Sequence, residues 1–395
     1  MKKRAADANR PGNGSVLMIS MLMVAVFFSM AARAIFSPIM PSLQSDLNIG
    51  LATAGSLFLF ISVTYAVAIL LAGFLAARIG HGLTIVVALA LIAVGLTISA
   101  AAPGVVLMAV GMAFIGAGAG IYPPSGLAMV NRKISPQKRT FAFAFHEISP
   151  NFSLLVAPLI VLALEPLIGW RGVLLSMAAV CAMATLAFWR WGVTDSGVGA
   201  APNFGTITII LKIPEIYVGM FLLTASTSGL HGVYAILPAY LVERSIYSTD
   251  EINSLLAASR LASILFLLVA GGVVNLIGKR QAITWALVFT SICTALIGLL
   301  EGTLLNIVII AQPALVAAII PPLLSSIADI GESRYHNITY SLIITVAIGV
   351  GAGVVPAVLG IFGDHGLGWL GFVSLGILTA AAILALVATP DFGRN

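Results

Sequence analysis

A chain of 395 residues that is 60% hydrophobic and only 8% charged lies far from the roughly 25% charge of an ordinary soluble domain. A soluble core of this size would need a polar outer surface, whereas a bilayer lets apolar side chains face outward, so the composition excludes a soluble globular protein and predicts an all-α membrane protein. The formal net charge of +5 does not imply a nucleic-acid partner, because the basic residues sort by loop.

Segments of about 20 apolar residues predict twelve transmembrane helices, near 16–40, 51–77, 83–101, 104–131, 141–164, 172–191, 215–241, 252–277, 282–300, 303–328, 338–362 and 370–388. With the amino terminus inside, 15 of the 19 Lys and Arg residues fall in cytoplasmic segments, Arg171 and Arg244 fall outside, and Arg33 and Arg260 lie within spans. That asymmetry predicts both termini in the cytoplasm, as for an integral protein of a prokaryotic inner membrane. Residues 1–14 are polar with a basic start. The span after them is too long for a signal peptide and shows no cleavage site.

The first span carries Ser29, Arg33 and Ser37 at spacings of four, which places them on one face, and is expected to end at Pro38 and Pro41. In the second, Ser62 and Tyr65 share a face. It closes on Gly73–Gly82 (GFLAARIGHG), which includes Arg78 and Gly80. At an offset of 198 stands Gly271–Arg280 (GGVVNLIGKR), with glycines again at the first and eighth places, Gly271 and Gly278, and then Lys279 and Arg280. Pro123-Pro124 of the fourth span returns as Pro321-Pro322 and Pro158 as Pro356, all at the same offset. Gly169-Trp170-Arg171 returns one residue out of step as Gly368-Trp369-Leu370. The chain is therefore read as doubled, with halves 1–192 and 214–395 and a cytoplasmic linker at 193–213. Gly116–Gly120 and Gly349–Gly353 read as helix-packing segments.

Both glycine loops resemble the cytoplasmic loop signature of the major facilitator superfamily of transporters. The resemblance implies two pseudo-symmetric six-helix halves, a site near the midplane between them and a monomer. Where the signature has an acid, this sequence has Ala77 and Asn275. The usual latch is therefore expected to be weak, its work falling to Glu147, Asp329 or Glu332.

An arginine at membrane depth costs roughly 2.5 kcal/mol or more, so it should face the interior and meet a partner or a ligand. Arg33 and Arg260 lie at similar depths in opposite halves. Either they bind an anion in one cavity, which suits a planar guanidinium fork, or they neutralise an internal carboxylate or cap carbonyls. Arg260 resembles the eighth-span arginine of monocarboxylate transporters, although Leu256 stands where those often have Asp. Arg33 resembles the first-span arginine of organophosphate and sugar-acid transporters.

His231, at the repeat position of Arg33, would donate to substrate and couple transport to pH, or make a structural hydrogen bond. Tyr65, Tyr122 and Tyr234 would offer hydroxyls to a carboxylate or serve packing. Asn151 and Gln312 would line the cavity or tie helices together. Glu147 would carry protons or pair with His146, Arg132 or Arg139 at an inner gate. Asp46, Glu165, Glu243, Asp250, Glu251, Glu301 and Asp364 read as solvated outer acids. Cys181 and Cys293 read as packing residues, and no metal, cofactor or enzyme signature is found.

The resulting expectation is a secondary active transporter of a small organic anion, a monocarboxylate or similar acid, by proton symport or anion exchange. The competing readings are efflux of drugs or metabolites, with Glu147 binding cations, and a lipid-handling or transport-dead protein of the same fold.

Overall fold

The computed structural model describes residues 13–133, 136–192, 204–330, 336–390 and 392. Among them there are helices and turns but no strands. Ten helical stretches are long and apolar enough to cross a membrane.

Helices α1 (Asn13–Ala34) and α2 (Phe36–Leu47) form one rod that bends at Ile35 and continues through Pro38 and Pro41. The expected stop at the prolines does not occur. Pro38 is the third residue of α2, where a backbone N–H has no intrahelical partner to lose.

Helix α3 (Leu51–Ala100) and the stretch Ile148–Gly192 of α5 (Pro136–Ala187, with a π-turn at Phe188–Gly192) are 50 and 45 residues long, about twice the bilayer requirement. Each is broken by one glycine in the left-handed half of backbone space, Gly80 (φ 79°) and Gly169 (φ 67°). A Cβ would disfavour that conformation, so a single residue reverses the chain where a longer loop is expected. Gly278 (φ 83°, ψ 155°) joins α9 to α10 with nearly the geometry of Gly80 (φ 79°, ψ 162°), so these two repeat markers share a backbone conformation.

The remaining elements are α4 (Val105–Lys133), α6 (Phe204–Ile210), α7 (Pro214–Thr227) continuing through a π-turn into α8 (Val233–Glu243), α9 (Thr249–Ile277), α10 (Lys279–Ile297), α11 (Gly302–Ala328), α12 (His336–Val346) leading through π-turns (Ala347–Val354) into α13 (Val355–Asp364), and α14 (Gly368–Ala388). The part of the expected linker at 193–203 lies outside the described residues.

Helix α3 runs against α13 with almost no side chain between them. A Cβ on Gly55 would collide with the Pro356 carbonyl, and one on Gly360 with the Leu51 carbonyl. Next to this seam the Asp364 carboxylate accepts the backbone N–H groups of Leu51 (2.7 Å) and Ala52 (3.0 Å), capping α3 from another helix. Asp364 is exposed, as expected of an outer acid, and the cap is a contact that the sequence reading did not include. Asp46 is likewise paired, with Arg171, and Glu251 caps its own helix through the Ser248 N–H (2.8 Å). At the opposite end, Lys279 Nζ lies 3.5 Å from Asp329 Oδ2. Arg280 donates to the carbonyls of Thr389 (2.8 Å), Phe392 (2.9 Å) and Leu386, closing the end of α14. Arg78 is exposed beside the Gly80 turn, and Glu332 and Arg334 lie outside the described residues.

Candidate functional site

A cavity of about 80 Å³ opens where α1, α2, α3, α5, α8 and α9 converge, and Arg33, Ser37, Ser62, His231, Tyr234 and Arg260 supply its polar wall. Phe58, Ile61, Leu154, Pro158 and Leu256 supply the apolar wall. The repeat explains the polar set. Adding 198 to 33 gives 231 and to 62 gives 260, so two pairs of equivalent positions face one space.

Each guanidinium lies over a tyrosine ring. Arg33 Cζ is 4.6 Å from the Tyr65 centroid, and Arg260 Cζ is 4.6 Å from that of Tyr234. Each also gives one edge to the backbone, Arg33 Nε to Ser29 O at 3.0 Å and Arg260 Nη2 to Leu230 O at 3.1 Å. Arg33 Nη2 reaches Met30 Sδ at 3.4 Å. Arg260 is only 8% exposed, and its Nη1 is buried without a hydrogen-bond partner. Leaving a charged donor unmet in an apolar setting is costly, so an acceptor is expected there.

Among the described residues no carboxylate lines the cavity and neither arginine is in an ion pair. His231 has no hydrogen-bond partner among them either, and its ring stands under the electrostatic influence of both Arg33 and Arg260. The structural hydrogen bond considered for His231 is thus not formed with any described residue.

Tyr234 is 2% exposed. Its hydroxyl is spent on Ile309 O, and its own carbonyl accepts from the Ser37 hydroxyl across the cavity wall. It acts on the site through its ring face rather than its hydroxyl. Tyr65 likewise sits beneath Arg33, outside the lining. Toward the Asp364 end Asn253 Nδ2 donates to Pro38 O (3.2 Å) and Gln44 Nε2 reaches Glu243 Oε2 (3.5 Å).

Three expected cavity residues stand elsewhere. Tyr122 is buried in a stacked pair with His146, its hydroxyl donating to Leu22 O (2.9 Å) and lying 2.7 Å from His146 Nε2. Gln312 is fully buried and ties helices together, with Nε2 donating to Thr294 Oγ1 (3.1 Å) and Gly229 O (3.4 Å). Asn151 is half-buried on α5 outside the lining. Tyr122 and Gln312 lie on polar helix faces that meet a neighbouring helix rather than the cavity. The side chain of Glu147 lies outside the described residues. Sequence reasoning missed Met30, whose sulfur gave no sign of meeting a guanidinium.

Long apolar helices around a central polar cavity are the arrangement of an integral membrane protein. The family model of the Major Facilitator Superfamily matches residues 22–311, and the chain belongs to that family. No curated protein matches the sequence. Among solved structures, the nucleoside transporter NupG is 14% identical with a TM-score of 0.76, over 93% of this chain and 99% of its own. The D-xylose-proton symporter is 15% identical with a TM-score of 0.75, over 95% and 97%. The peptide transporter POT in complex with sulfate is 16% identical with a TM-score of 0.78, over 98% and 96%. At these identities the likeness concerns the fold.

Proposed function

We propose that this chain is a secondary active transporter of a small organic anion, a monocarboxylate or similar acid. The observation that carries this reading is the pair of guanidinium groups, Arg33 and Arg260, turned on one small cavity with no described carboxylate to answer them. Tyrosine rings and backbone carbonyls fix their orientation and leave N–H groups for a ligand, the preorganised fork that suits carboxylate or phosphate. His231 and the Ser62 hydroxyl add directional polar groups, and the apolar wall admits a short carbon skeleton. The same charges disfavour efflux of cations.

In this reading the breaks at Gly80 and Gly169 divide ten helical stretches into twelve spans. Halves 1–192 and 214–395 then rock about the cavity, with both termini cytoplasmic and a monomer as the working unit. Contacts around Asp364, Gly55 and Asn253 hold one end closed while the other gives access.

The test is a thermal-shift and proteoliposome-uptake panel of monocarboxylates, dicarboxylates, sugar acids and phosphates. At least one anion should raise the melting temperature, and Arg33→Ala and Arg260→Ala should reduce that shift, Arg260→Ala the more. If no anion stabilises the protein, or if both variants take up the anion normally, the reading is wrong.

A further inference from the structure

We propose that the carrier is an obligatory exchanger, one that changes sides only with an anion bound; the inference rests on the anion reading of the site. Alternating access requires a state closed at both ends. In this chain closure wraps Phe58, Ile61, Leu154, Pro158 and Leu256 around two groups that cannot shed their charge. Their immediate partners are all neutral: the carbonyls of Ser29 and Leu230, the sulfur of Met30, and the rings of Tyr65 and Tyr234. Arg260 Nη1 is already buried without a partner.

Carboxylates with described contacts at the ends of the bundle include Asp46 with Arg171, Asp329 with Lys279, Glu301 with Arg244, Glu243 with Gln44, Asp364 with the start of α3 and Glu251 with its own helix. Among the described residues no carboxylate answers the two cations, so the counter-charge comes with the ligand: sealing two unpaired cations away from water is heavily penalised and an anion between them removes that penalty. A proton on His231 would add positive charge, so protons cannot replace the anion on the return step. Having released its anion on one side, the protein waits there until another enters.

Met30 makes the idea directly testable, because its sulfur already receives an N–H of Arg33 at 3.4 Å. In Met30→Glu a carboxylate would stand there and supply a resident counter-charge, while Met30→Gln would keep the shape without the charge.

The experiment uses the full chain in phospholipid vesicles with labelled lactate, malonate and inorganic phosphate. Vesicles preloaded with the same unlabelled anion are compared with vesicles holding only a bulky zwitterionic buffer and sucrose, with valinomycin and potassium dissipating any potential. The expected result for whichever probe is carried is uptake at least tenfold faster into preloaded vesicles. Met30→Glu is expected to narrow that ratio at least threefold relative to Met30→Gln. Equal uptake into preloaded and empty vesicles overturns the exchange proposal and leaves the anion reading standing. Absence of uptake for all three probes in preloaded vesicles overturns the anion reading, and this inference with it. The wild-type comparison decides the matter even where Met30→Glu fails to fold.

Discussion

Arg33 and Arg260 meet the same demand with the helices exchanged. On the amino-terminal side the arginine is on α1 and its tyrosine on α3; on the carboxy-terminal side the tyrosine is on α8 and the arginine on α9. Arg33 is tied to a carbonyl of its own helix four residues back, whereas Arg260 bonds a carbonyl 30 residues away in the π-turn before α8. The first is held locally and stays partly open to the cavity. The second is locked between helices and keeps an unmet donor. A doubled chain thus repeats positions, and the chemistry at those positions then diverges. The tighter of the two cations should carry the larger share of ligand binding.

That comparison breaks most readily at the arginines. Arg260→Ala is expected to weaken apparent anion affinity about a hundredfold and Arg33→Ala about tenfold, in line with roughly 1.5–3 kcal/mol for hydrogen bonds to charged groups. Competition of unlabelled against labelled anion in vesicles measures both. Equal losses would show that the two sides are equivalent after all.

Removing a ring should cost less. Tyr234→Leu and Tyr65→Leu each withdraw a cation–π contact of about 0.5–2 kcal/mol, for an expected loss of roughly fivefold in affinity, larger at Tyr234 because it also removes the bond to Ile309 O. Unchanged affinity in both would mean that the stacks do not orient the guanidinium groups. The smallest effect belongs to Tyr234→Phe, which keeps the ring and loses only the hydroxyl. It should lower unfolding stability by about 1 kcal/mol with uptake intact, and a loss of uptake instead would assign the hydroxyl a role at the ligand.

The sequence made the fold and the two arginines legible for simple reasons. Apolar length reports spans, and a permanent charge at membrane depth must turn inward. Gly80 and Gly278 stood out by spacing, and their shared positive φ explains why glycine is kept at both. What was not legible depended on neighbours. A polar face on Tyr122 or Gln312 looks the same whether it meets a cavity or another helix, and only packing shows that it meets a helix. The bond from Asp364 to the start of α3 spans over 300 residues, beyond any local pattern. The tyrosine rings beneath the guanidinium groups are likewise facts of tertiary contact.

The seam between α3 and α13 is backbone laid on backbone at Gly55 and Gly360. A closure built this way has no side chain that can be trimmed to loosen it, but one added methyl group wedges it apart. Gly55→Ala and Gly360→Ala are therefore expected to hold this end ajar without touching a group that meets the ligand. They offer a defined immunogen for reagents that recognise one state of the cycle.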